Sequence, residues 1–204
     1  MIPYLIIILT ATVVIAVPNT LLRPGGEPWY MYLIMTVAAV VASFLIDAIV
    51  ALIGRRCVPQ KWLDPNKKFF CPDKKRLQFY EKLGVKIWKD KVPELGGFTD
   101  FHKNKLSDPW NNEYVEKYMI EACYGVVIHF FSPFFGFLII LLDYKMYTGW
   151  SWMWLTIMLP VALVNAVLIY APTIILKYHI PKLKMLYDIN LQNKKRREAQ
   201  EKGD

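Results

Sequence analysis

KYMIEACYGVVIHFFSPFFGFLIILL, residues 117–142, is the stretch whose reading decides the fold. Its apolar run is long enough to cross a bilayer as a helix, which takes about 17–25 residues. Its first half nevertheless carries Glu121 and His129. An ionisable side chain at membrane depth is costly, so both are expected to face a bundle interior or a water-filled cavity. On a helix their spacing places them about 80° apart around the axis and about 12 Å apart along it. They can border one polar stripe and need not touch directly, and Gly125 between them leaves room for a substrate or a neighbouring helix. Pro133 and Gly136 are expected to kink the span, which is tolerable where neighbouring helices re-satisfy the freed backbone groups.

Working outward, three further apolar runs appear. Residues 2–17 are slightly short for a span. A signal peptide would require a positive segment ahead of the run, and none precedes it, so it reads as a first membrane helix. Pro18, Asn19, Pro24, Gly25, Gly26 and Pro28 then predict a turn-rich connection. Residues 29–54 form the second span, opened by the interfacial aromatics Trp29 and Tyr30. Asp47 lies in its inner half and needs a partner, whether structural or catalytic. Residues 150–176 form the fourth span, opened by Trp150, Trp152 and Trp154. The charged tail, 177–204, reads as a helix that frays. No internal repeat is visible. The expectation is an all-α integral membrane protein, one polytopic domain over 1–204, with about four transmembrane helices.

Composition agrees. The chain is 55% hydrophobic with a mean hydropathy of +0.25, above the range of soluble domains. Its net charge of +8 sits beside apolar spans. Anionic headgroups therefore account for it, and nucleic acid does not. Cys57, Cys71 and Cys123 have neither metal-ligand spacing nor the even count of a disulfide framework.

The polar stretch 55–116 holds 14 of the 25 Lys and Arg residues, and the tail holds 8. The two opposite connections carry only Arg23 and Lys145. The positive-inside bias then puts this stretch, the tail and both termini in the cytoplasm of a multi-pass cell-membrane protein. Within it, residues 74–90 read as a basic amphipathic surface helix with Gly84 as its weak point. Ser107-Asp108-Pro109 and Asn111-Asn112-Glu113 both offer helix-start chemistry ahead of the third span.

Three clusters can carry chemistry. Glu121 and His129 are the first, with histidine suited to general base work near neutral pH. The alternative is a structural histidine bonded to a neighbouring helix. The second is the run from Trp88 to Gly96. Lys89 and Lys91 can bind a phosphorylated donor, with Asp90 or Glu94 assisting, or the run is a solvated interfacial turn. Gly96-Gly97 lacks the lysine and hydroxyl of a phosphate loop. His102 lacks the aspartate five positions on that soluble-type glycerolipid acyltransferases carry. Tyr178, His179 and Pro181 form the third cluster, an interfacial anchor or part of a site. The His and carboxylate set is too sparse for a metal site.

These clusters, in this order, resemble the small membrane acyltransferases typified by glycosyl-4,4'-diaponeurosporenoate acyltransferase of staphyloxanthin carotenoid synthesis. The matching pieces are IWKDKVPELG, EYVEKYMIEACYGVVIHF and APTIILKYHIPKL, within roughly residues 69–190. His129 matches the family's histidine and Glu121 its helix carboxylate. Trp88 and Lys89 match its tryptophan–lysine pair, and Pro172, Tyr178 and Pro181 its last piece. Val126 stands where the family has a second carboxylate, and Tyr170 where it has an asparagine.

The resemblance implies transfer of a fatty acyl group from an activated donor, acyl-CoA or another, to a hydroxyl of a glycolipid acceptor such as a glycosylated carotenoid. No further cofactor is implied. His129 would be the base and Glu121 its orienter or a grip on the acceptor. Arg76, Lys86 and Lys89 would hold donor phosphates, and Lys89 or Trp88 would donate to the oxyanion. Two rivals remain: a non-catalytic scaffold or lipid-binding protein, and a membrane transferase or reductase of other chemistry.

Overall fold

A computed structural model describes residues 2–92, 106–143 and 151–201 of the chain. Every element among them is helical. The main helices are α1 (Ile2–Leu22), α2 (Trp29–Cys57), α3 (Lys74–Lys82), α4 (Val85–Trp88), α5 (Asn112–Gly136) and α6 (Leu159–Glu201). A 3-10 segment, Phe137–Leu142, extends α5, and a π-helical turn, Trp154–Met158, leads into α6. Among the described residues, four stretches are long and apolar enough to cross a membrane: Leu5–Leu22, Trp29–Cys57, Asn112–Leu142 and Trp154–Gln200. Leu9, Leu21, Leu45 and Leu52 are each more than half exposed. Such a continuous apolar surface is stable in lipid and not in water.

The chain divides into two compact units. The first comprises Met1–Cys57 with Ile128–Ala171, and the second Val58–Val127 with Pro172–Asp204.

In the first unit α2 buries Tyr32, Thr36, Ala39 and Ser43, a seam of spacing four, three, four. Three of these are small, which lets backbones approach closely where lipid supplies no hydrophobic drive. Thr36 and Ser43 turn their hydroxyls back to the carbonyls of Tyr32 (2.7 Å) and Ala39 (2.9 Å), so neither is buried unpaired. Met153, Ile157, Met158, Val161 and Ala162 complete this core with Ile139. Tyr32 also fixes the turn before α2, its hydroxyl accepting from the Gly25 N–H at 2.9 Å.

The first helix runs past residue 17 and keeps Pro18 inside it. Asn19, expected in the connection, is helical and buried. Its side-chain amide donates to the Ile15 carbonyl (2.8 Å) and to the Thr156 carbonyl in the π-helical turn (2.9 Å). The tie to another helix holds the chain helical beyond the proline. Asp143 is fully buried, and its Oδ2 accepts from the Trp154 N–H at 2.8 Å. Ser151 accepts from the Met153 N–H at 3.1 Å. Together they satisfy N–H groups that the start of a helix leaves orphaned.

A close approach inside this unit yields a stability prediction. A Cβ at Gly54 of α2 would lie 2.9 Å from Ile128 Cγ1 of α5. That atom moves only with χ1, which a β-branched residue in a helix holds largely to one rotamer. Gly54→Ala is expected to cost up to about 2 kcal/mol, overpacking outweighing the gain in helix propensity. Gly125→Ala, in the second unit, meets Leu176 Cδ1 at 2.7 Å, the end of a rotatable side chain, and is expected to be nearly neutral. Thermal denaturation of the two variants in detergent checks the contrast.

In the second unit α5 buries Val115, Tyr118, Met119, Ala122, Cys123 and Val126, a stripe at helical spacing. They pack against Leu63, Phe70, Ile180 and Leu183. Asn111 starts α5 as expected, its Oδ1 accepting from the Glu113 N–H (3.0 Å) and the Tyr114 N–H (3.3 Å). The predicted helix over 74–90 is instead two. Asp73 caps α3 by accepting from the Arg76 N–H at 3.0 Å. Gly84 then adopts φ 69°, a left-handed turn that glycine takes without strain, and α4 sets off anew. Beyond residue 176, α6 continues as helix to Glu201 with Pro172 and Pro181 inside it.

Candidate active site

In the first unit, the part of α5 from Ile128 onward carries His129 and, one turn later, the buried Ser132. His129 Nδ1 is sealed from solvent and has no hydrogen-bond partner among the described residues. Leaving a buried polar atom unpaired costs about 1–3 kcal/mol, a cost that a bound donor removes. A ring nitrogen in that condition can accept a proton or a hydrogen bond from a substrate hydroxyl.

A second polar group in this unit joins three helices. Asn165 of α6 donates from Nδ2 to Asp47 Oδ2 of α2 at 3.1 Å, and Ser132 of α5 also hydrogen-bonds the carboxylate. Gly136 makes room for the amide, since a Cβ there would lie 3.3 Å from Asn165 Nδ2. Asp47 thus has the partners that a carboxylate at membrane depth requires. Asn165 and Ser132 were not singled out in the sequence. Each is one polar residue in an apolar run, and its meaning depends on a partner in a different helix.

The second unit holds the remaining candidates that fall on described residues. Glu121 is half-buried on α5. Arg76 lies in the first turn of α3, and its backbone N–H serves the Asp73 cap. Trp88 ends α4, and its indole N–H donates to the Leu83 carbonyl at 3.0 Å, closing the Gly84 turn. Lys89 and Asp90 follow in a 3-10 turn, with Lys89 Nζ 3.7 Å from Asp90 Oδ1. Tyr178 of α6 is buried, with its hydroxyl donating to Glu81 Oε1 at 3.3 Å and Lys182 Nζ 3.8 Å from its ring centroid. The His179 ring stands edge-on to it at 5.8 Å. Gly125 leaves its room to Leu176, a neighbouring helix. Glu94, Gly96, Gly97 and His102 lie outside the described residues. No three His, Cys, Asp or Glu side chains among the described residues gather as a metal-binding group.

Glu81 is the residue that organises this cluster and that the sequence did not announce. Lys86 Nζ lies 2.9 Å from Glu81 Oε1, spanning the Gly84 turn. The hydrogen bond and charge of Lys86 hold the Glu81 carboxyl below the usual carboxylate range, and Glu81 in turn raises Lys86. A carboxyl depressed in this way stabilises the fold above its unfolded pKa, and that contribution is lost as pH falls through its folded value. Acidification is therefore expected to lower amide protection, taken relative to the intrinsic exchange rate at the same pH, across residues 77–88. Glu81→Gln should show the lower protection already at neutral pH and lose its pH dependence. Both groups are largely exposed, so the effect is small.

Comparison with known proteins adds one finding. A family model described as Glycosyl-4,4'-diaponeurosporenoate acyltransferase matches residues 59–189. No curated protein and no solved structure matches the chain. The matched stretch contains Arg76, Trp88, Lys89, Asp90, Glu94, Glu121, His129 and Tyr178, and leaves α1 and α2 outside.

Proposed function

Because this chain belongs to the glycosyl-4,4'-diaponeurosporenoate acyltransferase family, we propose that it moves a fatty acyl group from an activated donor to a hydroxyl of a glycolipid acceptor. Family membership makes it an acyltransferase of carotenoid biosynthesis, and its four span-capable helices make it a membrane protein. The donor class, the acceptor and the residue roles are our reading. The observation that carries it is the family match over 59–189, within which His129 offers a buried ring nitrogen without a partner among the described residues.

In this reading His129 takes the proton from the acceptor hydroxyl as its oxygen attacks the acyl carbonyl. The carbon–oxygen ester bond forms and the bond to the donor's leaving group breaks. With a thioester donor the imidazolium returns the proton to the departing thiolate. Glu121 orients the base or grips an acceptor hydroxyl. Lys89 stabilises the developing oxyanion, while the Trp88 indole, bonded to the Leu83 carbonyl, holds the turn that presents Lys89. Arg76 and Lys89 attract the donor's phosphates, with Asp90 and Glu94 setting the local charge. The excess of Lys and Arg in residues 55–116 and in the tail supports a cytoplasmic basic stretch and cytoplasmic termini in the cell membrane, on the side where an acyl-CoA would be met.

The test is direct. The purified chain in lipid vesicles is given acyl-CoA and a glycosylated lipid. Formation of one ester for each thiol released supports the reading. Failure to acylate any glycolipid with any activated donor, by folded protein, would sink it.

A further inference from the structure

The break at Gly84 sorts the apolar residues of α3 and α4 into two sets. Val85 is fully buried, and Leu77, Tyr80 and Trp88 are half-buried. Phe79, Leu83 and Ile87 are instead 57%, 46% and 74% exposed. Phe79 and Leu83 stand four residues apart, neighbours on a helix surface. A Cβ at Gly84 would lie 3.9 Å from Ile87 Cδ1, so the exposed apolar row continues across the turn. Cations accompany it: residues 74–91 hold seven Lys and Arg against Glu81 and Asp90. Lys75 and Lys82, both exposed, stand one turn before and one turn after Phe79.

The height of this row follows from α6. Lys177 is the first charged residue of α6, after an apolar run that ends at Leu176. Lys177 Nζ lies 4.2 Å from the Phe69 ring centroid, and Tyr178 donates to Glu81 Oε1 at 3.3 Å. Glu81 stands between Phe79 and Leu83 in α3. The helix that carries the row is therefore fastened to α6 where α6 leaves the hydrocarbon.

We infer that α3 and α4 form a docking surface for an anionic phospholipid leaflet: Phe79, Leu83 and Ile87 dip into the membrane boundary, and the lysines beside them engage the headgroups. Three large apolar side chains in a row mark an interaction surface. Their place at the end of an apolar run, among cations, fits a lipid surface in both respects. Apolar insertion and attraction of each Lys or Arg to negative lipid add together in such a segment. Docking also fixes the height of the Gly84 turn, and with it Trp88 and Lys89. That Lys89 thereby meets an acyl donor at headgroup level rests on the function proposed above, whereas the docking does not.

The full chain is placed, one copy per disc, in nanodiscs of mixed phosphatidylcholine and phosphatidylglycerol. The probe is a trace of either phospholipid with a photoactivatable diazirine high in its acyl chain, and labelled residues are mapped by mass spectrometry. The phosphatidylglycerol probe is expected to label residues 77–88 at least about fivefold more than the phosphatidylcholine probe at low salt. The two should converge at about 1 M salt, where charges are screened within about 3 Å. Phe79→Ser combined with Leu83→Ser and Ile87→Ser should abolish labelling there by both probes. Lys74→Gln combined with Lys75→Gln and Lys82→Gln should remove only the preference. All six side chains are exposed, so the fold should survive either set. No labelling of 77–88 in the wild type, equal labelling by the two probes at low salt, or undiminished labelling in the triple serine variant would overturn the docking. Labelling that falls when each disc holds two copies would assign the face to a second copy and overturn it as well. Lipid docking without acyl transfer in the same discs would count against the proposed function and leave the docking standing.

Discussion

His129→Ala is expected to lower acyl transfer by at least about 10²-fold, the lower end of what a positioned general base supplies. The protein should stay folded, because Nδ1 makes no hydrogen bond among the described residues whose loss would cost stability. Removing an unpaired buried polar atom is closer to neutral than removing a paired one. A structural histidine would behave in the opposite way, losing stability and activity together. His129→Gln keeps a polar group of similar reach but no base, and should be as inactive as alanine. Initial rates with matched amounts of folded protein check both, and near wild-type activity in either variant would remove the assignment.

Asp143→Ala is expected to give the largest loss of stability, about 2 kcal/mol. The carboxylate is fully buried and accepts from the Trp154 N–H at 2.8 Å, where the chain re-enters helix. Truncation removes a cap and leaves that N–H buried without an acceptor, at costs of about 0.5–2 and about 1–3 kcal/mol that overlap because they describe one bond. Asp143→Asn retains an acceptor oxygen and should recover most of the loss. The check is the denaturation midpoint in detergent, with the order wild type, asparagine, alanine. Equal midpoints for all three would show that Ser151, which caps Met153, suffices by itself.

The spans were legible because hydropathy measures the quantity that selects them, the cost of leaving water for lipid. The start of α5 was legible from Asn111, whose side chain does locally what it does in any helix cap. Gly84 was legible as a weak point because only glycine turns left-handed there at no cost. The end of α1 was not. Pro18 reads as a breaker, and its tolerance follows from Asn19 reaching the Thr156 carbonyl far along the chain. The tail was legible as helix as well, and α6 runs on through it to Glu201, whereas the tolerance of Pro172 and Pro181 inside that helix has no local signal.

The candidate residues divide along the same line. His129 and Asp47 stood out because an ionisable group in an apolar run is rare and costly. Asn165, Ser132 and Glu81 did not, because an amide, a hydroxyl or a carboxylate in ordinary surroundings carries no mark of its partner. Glu81 acquires its role only when α6 brings Tyr178 to it. Tyr178 itself was picked from its neighbours in sequence, and the fold gives it a buried structural contact within the second unit.

The most direct measurement is lipid mass spectrometry on cells expressing the wild type and His129→Ala. An acylated glycolipid present with the wild type and absent with the variant is the predicted result, and it would also name the acceptor. Identical lipid profiles, with both proteins folded in the membrane, would contradict the proposed acyl transfer to a glycolipid by His129.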